Sequence, residues 1–554
     1  MRRISRLLGW VLVAAVAVVA IPGGAARAAS APSVPTVSNA SALPRLGITQ
    51  LRQILADGVH KHLFLASPGS VVVTDLAGEP VTRLYAGDKP ASMAMSGDGD
   101  TLYVALAGAK EVAAVSTATL KQTRLYHLAP ADSPASVAVQ GGKLWVSYTT
   151  TDRKPSGIGD FALGKASPVF VSAALPGPAW TTAPRLAADP KGEGVLAAIG
   201  DTAHAAMIAT YGVSGLKPAV LAQARAATAC ESLADAAVTP AGAQLILACA
   251  GGRDQAIYTT ATLVLAGYYR TGAAPEAVAV APDGSVATGA GDAPGPQLWV
   301  FQAGREAAVN RYDFAAAAEV VATAGLAWTS DSTTLFAVLR QRTTGAYYLD
   351  ELLYPQYKPS SINLTSVGAI NAGGTVVLHG RLTLGTARTP AGVSVTIERT
   401  SAAHPSSVQA TFTVKTKAGG VFSLTDKPAA YGGYAYTDHY ASNGLYEPAY
   451  HETLVNVRPL RVSLTVTPSA DAVAKGTTVT VNAHLGRTYR NRVVSIYAQS
   501  AGGARTLLRT GEVGVHGNLA VSYRVTGDTT FTAVFAGDPH YAPASATATV
   551  TMTN

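Results

Sequence analysis

Cysteine, methionine and charge are scarce in this sequence of 554 residues. It contains 2 Cys and 5 Met, and only 14% of its residues are charged, against about 25% in an average soluble protein. The low charge excludes a disordered polyelectrolyte, and two cysteines exclude a disulfide-dense scaffold or a multi-cysteine metal cluster. Gly (54) and Pro (31) are abundant instead. This composition favours many short strands joined by turns.

Long apolar runs are also missing, except for one at the beginning of the chain. Three arginines in the first six residues precede the apolar run 7–21, and the small-residue pattern Ala26-Arg27-Ala28 follows it. This order is typical of a secretory signal peptide, so we predict a signal at residues 1–28, cleaved between Ala28 and Ala29. The run is short for a membrane span of about 20 residues. We therefore expect Sec export without a bound cofactor, an extracellular mature protein, and no integral membrane span.

The charge is distributed unevenly between the two parts of the mature chain. Residues 30–359 contain 23 Lys and Arg against 25 Asp and Glu, whereas residues 360–554 contain 15 against 9. A mildly basic tail favours an anionic envelope polymer as partner, although a solvated basic surface without a partner explains it as well. The clustered basic face of a nucleic-acid-binding protein is absent, so we expect no nucleic-acid partner.

An internal repeat of 44 to 50 residues is the most informative feature of the sequence. Each copy has an alternating apolar strand, a turn and a second apolar strand, as in PASMAMSGDGDTLYVAL. The copies begin at Pro90, Pro134, Pro184, Glu231, Pro275 and Val321. Residues 59–87 supply the later strands of one more unit. Units of about four strands at this spacing are typical of a β-propeller, in which adjacent blades bury each other's faces.

The small-residue start, the Asp-Gly turn and the LYVAL-type second strand together resemble the YVTN-type propellers of bacterial secreted and surface proteins. The resemblance covers residues 51–357 and implies a seven-bladed β-propeller, preceded by an N-terminal segment at residues 29–50. It does not imply one function, since members of this family include surface proteins and lactonase-like enzymes.

The remainder of the chain is duplicated. GTVVLHGRLT (374–383) aligns with GTTVTVNAHL (476–485), and YASNGLYEPA (440–449) aligns with FAGDPHYAPA (535–544). About seven short alternating strands per copy fit an antiparallel β-sandwich. The copies resemble bacterial Ig-like domain repeats, with boundaries at 358–458 and 459–554. That resemblance implies a spacer or an adhesive unit.

The two cysteines flank the first two strands of the fifth repeat. Because those strands form an antiparallel hairpin, Cys230 and Cys249 come together at its end. In an exported protein we expect a disulfide between them.

Candidate catalytic and metal-binding residues are few. The propeller segment contains four histidines, of which His60 and His62 alternate on one strand, with no accompanying pattern of carboxylates. A solvent-facing strand edge explains this pair without a ligand. No nucleophile motif and no phosphate-binding loop is found. We therefore predict no catalytic, cofactor-binding or metal site, while carboxylates distant in sequence can still assemble across blades.

One segment of the tail is rich in tyrosine. Residues 431–450 contain Tyr431, Tyr434, Tyr436, Tyr440, Tyr446 and Tyr450. Tyrosine suits carbohydrate and protein surfaces, which makes the cluster a candidate aromatic binding patch. Alternating tyrosines on one strand equally suit the core and corner of a sandwich.

The sequence thus predicts an exported monomer that binds a partner and is not an enzyme. The propeller presents its loop-rich face or its central channel to a ligand, and the two sandwiches act as spacer or tether at the cell envelope or in the medium. Expected partners are a cell-wall polymer, a polysaccharide or another surface protein. The alternative is an extracellular propeller enzyme, a lyase or a lactonase-like hydrolase, with a site assembled across blades.

Overall fold

The computed structural model describes residues 44–553, except for residues 152–154, 191, 193, 203–205, 216, 227–229, 231, 292–294, 315–317, 367, 387 and 487–491. The regular structure of the described residues is β-strand, apart from one turn of 3-10 helix at Pro240–Gly242. Within the same ranges, no helix is long and apolar enough to cross a membrane. The predicted all-β class is confirmed.

Residues 45–353 form seven antiparallel sheets of three or four strands each. The chain starts with β1 (Arg45–Leu46), and six sheets follow whose strands are hydrogen-bonded in chain order. They are β2 (Gln53–Asp57), β3 (His62–Ser67), β4 (Ser70–Asp75) and β5 (Pro80–Leu84); β6 (Pro90–Met95), β7 (Thr101–Leu106), β8 (Glu111–Ser116) and β9 (Gln122–His127); β10 (Asp132–Gln140), β11 (Lys143–Thr150) and β12 (Gly157–Ala162); β13 (Arg185–Ala188), β14 (Val195–Asp201), β15 (Ala206–Gly212) and β16 (Ala219–Arg225); β17 (Leu233–Val238), β18 (Gln244–Cys249), β19 (Gln255–Thr259) and β20 (Leu265–Tyr269); β21 (Pro275–Val280), β22 (Val286–Ala290), β23 (Leu298–Phe301) and β24 (Asn310–Tyr312).

The seventh sheet is built from both ends of this segment. Its chain-order strands are β25 (Glu319–Trp328), β26 (Thr334–Gln341) and β27 (Tyr347–Leu353). The fourth and outer strand is β1, whose Arg45 pairs with Tyr348 of β27. Residues 45–46 therefore belong to the sheets, although the sequence analysis places residues 29–50 before them. A two-residue strand has no repeat pattern of its own, so only the tertiary structure reveals it.

The seven sheets pack face to face in a closed ring. Seven apolar clusters lie one between each pair of consecutive sheets. The cluster between the first and second sheets contains Phe64 and Val104, and the cluster between the seventh and first contains Phe336, Leu63 and Leu46. The first strands of the sheets also contact one another in cyclic order, from β2 to β25 and back to β2. This arrangement is a β-propeller.

Two further units follow, and each consists of two sheets around a shared core. The first sandwich contains the sheet β28 (Ser360–Ser366), β30 (Val376–Leu384) and β33 (Val421–Asp426), and the sheet β29 (Ile370–Asn371), β35 (Ala449–Arg458), β34 (Gly432–Tyr440), β31 (Ser394–Ser401) and β32 (Ala410–Lys415). The second sandwich contains the sheet β36 (Ser463–Pro468), β38 (Thr478–Gly486) and β41 (Asn518–Arg524), and the sheet β37 (Ala472–Ala474), β43 (Ala544–Thr553), β42 (Thr529–Phe535), β39 (Val493–Ser500) and β40 (Thr506–Glu512).

The strand order of the two sandwiches is the same, including one parallel pair in each, β29 with β35 and β37 with β43. Inward residues alternate with outward ones along each long strand, and both sheets contribute to one apolar cluster per sandwich. The duplication in the sequence is therefore a duplication of structure.

Candidate functional site at the propeller channel

The first strand of every propeller sheet lines a central channel. Each sheet starts with its innermost strand, so these seven strands all begin at the same end of the channel. We call that end the entry mouth. Residues from all seven surround a cavity of about 470 Å³. Small side chains, such as Ala94, Ala187 and Ala279, keep the channel open.

A second cavity, of about 450 Å³, lies where the innermost strands begin. We call it the entry cavity. Guanidinium, amide, hydroxyl and carboxylate groups border it. Its polar lining includes Arg52, Gln53, Ser92, Ser136, Thr182, Arg185, Asp201 and Ser232. A concave site with a few convergent polar groups is the usual form of a small-ligand site.

Four of these side chains and Asp235, which lines the channel cavity, occupy equivalent positions near the start of the innermost strands. Ser92, Ser136 and Asp235 each follow a β-bulge, and they pair with Ala105, Ser147 and Ala248 of their partner strands. Gln53 and Arg185 stand at the same place in sheets without a bulge. We call these five residues the polar ring.

Each side chain of the polar ring bonds to the main chain of the following sheet. Gln53 Oε1 accepts from the Met93 amide at 2.7 Å, and Gln53 Nε2 donates to the Met93 carbonyl at 3.0 Å. Ser136 Oγ accepts from the Leu186 amide at 3.1 Å. Innermost strands of neighbouring sheets are not paired by a ladder, so their buried amides need such acceptors. The polar ring therefore joins the blades around the channel.

An ion pair continues the polar ring. Arg185 Nη2 donates to Asp235 Oδ1 at 2.6 Å, and Asp235 Oδ2 accepts from the Val278 amide at 3.0 Å. Burial raises the pKa of Asp235, and the adjacent Arg185 opposes that rise. The ring ends at the next sheet, where Ala277 occupies the equivalent position.

Arg52 differs from Arg185 because its charge is not neutralised. It is exposed at the rim of the entry cavity, and among the described residues no side chain or carbonyl bonds to its guanidinium. An uncommitted guanidinium in a concave site is suited to bind a carboxylate or a phosphate.

Carboxylates at the opposite end of the channel hold turns. Asp57 Oδ1 accepts from the amides of Val59 and His60 at 2.9 and 3.0 Å. Ser96 Oγ donates to Asp98 at 2.5 Å, and this hydrogen bond lowers the pKa of Asp98. These acids have the structural role expected of Asp in turns.

His60 and His62 do not share a strand face. The strand begins at His62, so His60 lies in the preceding turn, with Nδ1 2.9 Å from Asp57 Oδ2 and 3.1 Å from Thr117 Oγ1. His62 Nδ1 lies 3.1 Å from the Thr117 carbonyl oxygen. Both histidines thus connect the first two sheets. Across the described part of the chain, no group of three His, Cys, Asp or Glu is arranged to hold a metal ion.

The predicted disulfide is present. Cys230 and Cys249 are bonded with their Cα atoms 4.7 Å apart, at the end of the β17–β18 hairpin. Cys230 also lines the entry cavity. The covalent bond therefore fixes one wall of that cavity.

The tyrosine segment is divided between core and surface. Tyr434, Tyr436 and Tyr440 are buried in the first sandwich, and Tyr434 Oη donates to the Ala430 carbonyl at 2.8 Å, as a corner tyrosine does. Tyr446 is half-buried, whereas Tyr431 and Tyr450 are 37% and 63% exposed. The buried members have core and corner roles, and a binding role for the exposed ones stays a prediction. The predicted cleavage site at Ala28 and Ala29 lies outside the described residues.

The polar ring was missed by the sequence analysis. Its signal is present in the repeats, since the PAS motif places Ser92 and Ser136 two residues after the proline that begins a copy. Arg185 and Asp235 replace serine at that position, so the shared location becomes evident only when the strands are paired.

No family model matches the chain, and no curated protein matches it. Among solved structures, the chain is similar to the β-propeller domain of Cps50 (Swd1) from Myceliophteria thermophila, with 14% identity over 55% of this chain and 97% of that one and a TM-score of 0.41. It is similar to Kuenenia stuttgartiensis hydrazine synthase, with 15% identity, 56% and 97% coverage and a TM-score of 0.38. Kluyveromyces lactis Hsv2 follows with 12% identity, 55% and 99% coverage and a TM-score of 0.35. At these values the likeness carries no argument about function.

Proposed function

We propose that the protein is an exported, non-catalytic binding protein of the cell envelope or the medium. A seven-bladed propeller of the YVTN type is its ligand-binding head, and two Ig-like sandwiches are its spacer or tether. The observation that carries the proposal is the entry cavity, where the uncommitted guanidinium of Arg52 stands beside hydroxyl and amide groups.

The domain assignment is supported by the topology. Seven sheets contact one another cyclically, which is the arrangement that seven blades require. The three-stranded and five-stranded sheets of each tail unit enclose one core, which suits an Ig-like sandwich.

The lining of the entry cavity favours a polar ligand with at least one anionic group. Arg52 supplies a free positive charge, whereas the charge of Arg185 is committed to Asp235. Thr182 and Ser232 add hydroxyl groups at the rim. An acidic cell-wall polymer or polysaccharide has this chemistry. The basic excess of residues 360–554 attracts the same class of partner.

A second candidate function is an extracellular hydrolase or lyase with a site across blades. One observation favours it: Asp235 is a buried carboxyl group with a raised pKa that lines the channel cavity, as many catalytic acids are. Its two oxygens, however, bond to Arg185 and to main-chain amides. We therefore rank the binding function first.

The test is co-sedimentation of the full mature chain with isolated cell-wall material at low and high salt. We expect binding that high salt weakens and that Arg52→Ala weakens about tenfold, the usual cost of losing a charge-assisted contact. The matched control is Arg270→Ala, since Arg270 is an exposed propeller arginine outside the cavity.

Failure of the native chain to sediment would refute envelope binding. Equal weakening by both substitutions would refute the cavity as the site. Release of soluble fragments from the polymer, lost in Asp235→Asn, would support the enzymatic candidate instead.

A further inference from the structure

Residues 354–359 connect the last propeller strand to β28, and we call them the linker. The outer edge of β28 is held by two side chains. It pairs only with β30, so amides on its other edge need acceptors outside the sheet. The Ser360 amide donates to Glu447 Oε1 at 2.9 Å, and the Leu364 amide donates to His451 Nδ1 at 3.2 Å. Glu447 lies just before β35 of the opposite sheet, and His451 lies within β35. These two contacts therefore clasp one sheet of the sandwich to the other.

The clasp lies beside the junction with the propeller. The Lys358 amide donates to the Leu445 carbonyl at 2.8 Å, and Asn310 Nδ2 of the sixth propeller sheet donates to the Tyr357 carbonyl at 2.6 Å. Gln302 Nε2 donates to the Gly444 carbonyl at 2.5 Å. The clasp contact at Ser360 therefore lies two residues from the hydrogen bond that holds Lys358 at the junction.

His451 faces one ionisable group across its own sheet. Asp438 of β34 is its direct register partner and is fully buried. Burial raises the pKa of Asp438, whereas His451, the main-chain amides of Asp438 and His451, and His439 oppose that rise. Tyr436 and Tyr440 flank Asp438 on the same face, and Glu447 precedes His451 along the chain. Neither β28 nor β29 contributes an ionisable side chain.

The imidazole loses its contact with the Leu364 amide once Nδ1 binds a proton. Nδ1 accepts from the Leu364 amide only while it is unprotonated, because an imidazolium donates from both nitrogens. Proton uptake therefore removes the acceptor of Leu364 and creates a cation opposite the Asp438 carboxylate. Histidine is the side chain whose charge ordinarily changes between about pH 5 and 8.

We propose that His451 is a proton-operated clasp: at mildly acidic pH it exchanges the Leu364 amide for the Asp438 carboxylate, releases the edge of β28, and loosens the attachment of the linker. The device goes beyond ligand binding, since it regulates how the propeller is held by its tether. After export, an acidic surface or medium would supply the proton that releases the Leu364 amide.

The second sandwich is an internal control. Its main-chain contacts at this place are the same, since the Leu460 amide donates to the His540 carbonyl and the Ala542 amide donates to the Leu460 carbonyl. The side chains of the clasp are absent, because Ala542, Ala546 and Ala533 replace Glu447, His451 and Asp438. Within the described part of the second sandwich, no histidine side chain accepts from an amide of strand β36.

Hydrogen exchange followed by mass spectrometry on the full mature chain tests the clasp. Between pH 7.5 and pH 5.0 we expect the protection of residues 360–366, corrected for intrinsic exchange, to fall about tenfold, as for one lost hydrogen bond. Residues 463–468 should keep their protection. His451→Gln should abolish the fall, because a glutamine amide oxygen accepts at every pH.

Equal loss of protection in both strands of the native chain would overturn the proposal, and this comparison needs no variant to fold. Persistence of the full pH response in His451→Gln would overturn it as well. Ligand binding at the entry cavity does not enter either readout, so failure here is distinguishable from failure of the proposed function.

Discussion

Where the first sandwich buries tyrosine, aspartate and arginine, the second buries phenylalanine and alanine at the same places of the same strands. Tyr436 pairs with Arg399 in the first, as Phe531 pairs with Ala498 in the second. Asp438 likewise pairs with His451, where the second sandwich pairs Ala533 with Ala546. Strand order is the same, although the β39–β40 pair has a register shift that the β31–β32 pair lacks.

The sandwich fold therefore does not require the polar side chains that the first sandwich has at these positions. At these places the core of the second sandwich is apolar, whereas the first must satisfy a polar network. Arg399 Nη1 donates to Asp426 Oδ2 at 2.5 Å, and Tyr436 Oη donates to the same oxygen at 2.7 Å. Buried ion pairs rarely stabilise more than apolar residues of the same shape. The network in the first sandwich is therefore better explained by specificity or regulation than by stability.

The largest expected effect comes from placing the aspartate of the first sandwich in the second. Ala533→Asp buries a carboxylate whose register partner is Ala546, which supplies no cation. We expect a loss of at least about 4 kcal/mol in the unfolding free energy of the second sandwich at neutral pH. Urea denaturation followed by hydrogen exchange in residues 529–535 measures it. Thr549→Asp, an exposed position on the adjacent strand, is the control, and equal losses in both variants would contradict the argument.

A smaller effect is expected when the first sandwich is made to resemble the second at Arg399. Arg399→Ala leaves Asp426, whose side chain is only 9% exposed, without its cation. We expect a loss of about 3 kcal/mol. Adding Asp426→Ala should recover about 1 kcal/mol, because no unpaired charge then remains. The same urea experiment, monitored in the first sandwich, decides this, and a double variant less stable than Arg399→Ala would be the contrary result.

The smallest effect is expected from removing a single hydroxyl group. Tyr436→Phe introduces the residue found at Phe531 and deletes one hydrogen bond to Asp426. We expect a loss of about 1.5 kcal/mol, the lower value for a hydrogen bond to a charged group. Thermal denaturation measures it, and Tyr497→Phe in the second sandwich, whose hydroxyl lies on the outer side of its sheet, is the control. An unchanged stability would show that Asp426 is satisfied by Arg399 alone.

Much of the fold follows from local sequence patterns. The copy PASMAMSGDGDTLYVAL shows this, since the two apolar strands predicted around its turn are found as β6 and β7. Alternation of apolar residues and Asp-Gly turns determines such strands from neighbouring residues alone. Residues 45–46 could not be found in this way, because their strand exists only through pairing with Tyr347 and Tyr348, about 300 residues away.

The candidate site was much less predictable. The hairpin brings Cys230 and Cys249 together within 19 residues, so local topology was sufficient for the disulfide. Arg52 and Arg185 border one cavity although they are far apart in the chain. Only the closure of the ring of sheets places the two arginines together, and their spacing along the sequence does not predict this proximity.

The sequence by itself determined the β-strand periodicity, the repeat lengths, the duplicated sandwich and the cysteine pair, because each depends on residues close together in the chain or on two copies of one pattern. Only the tertiary structure decided that β1 completes the seventh sheet, that the polar ring joins the blades, and that His451 holds Leu364 while facing Asp438. These contacts arise between elements distant in sequence, where burial and the need to pair every buried polar group select the partners.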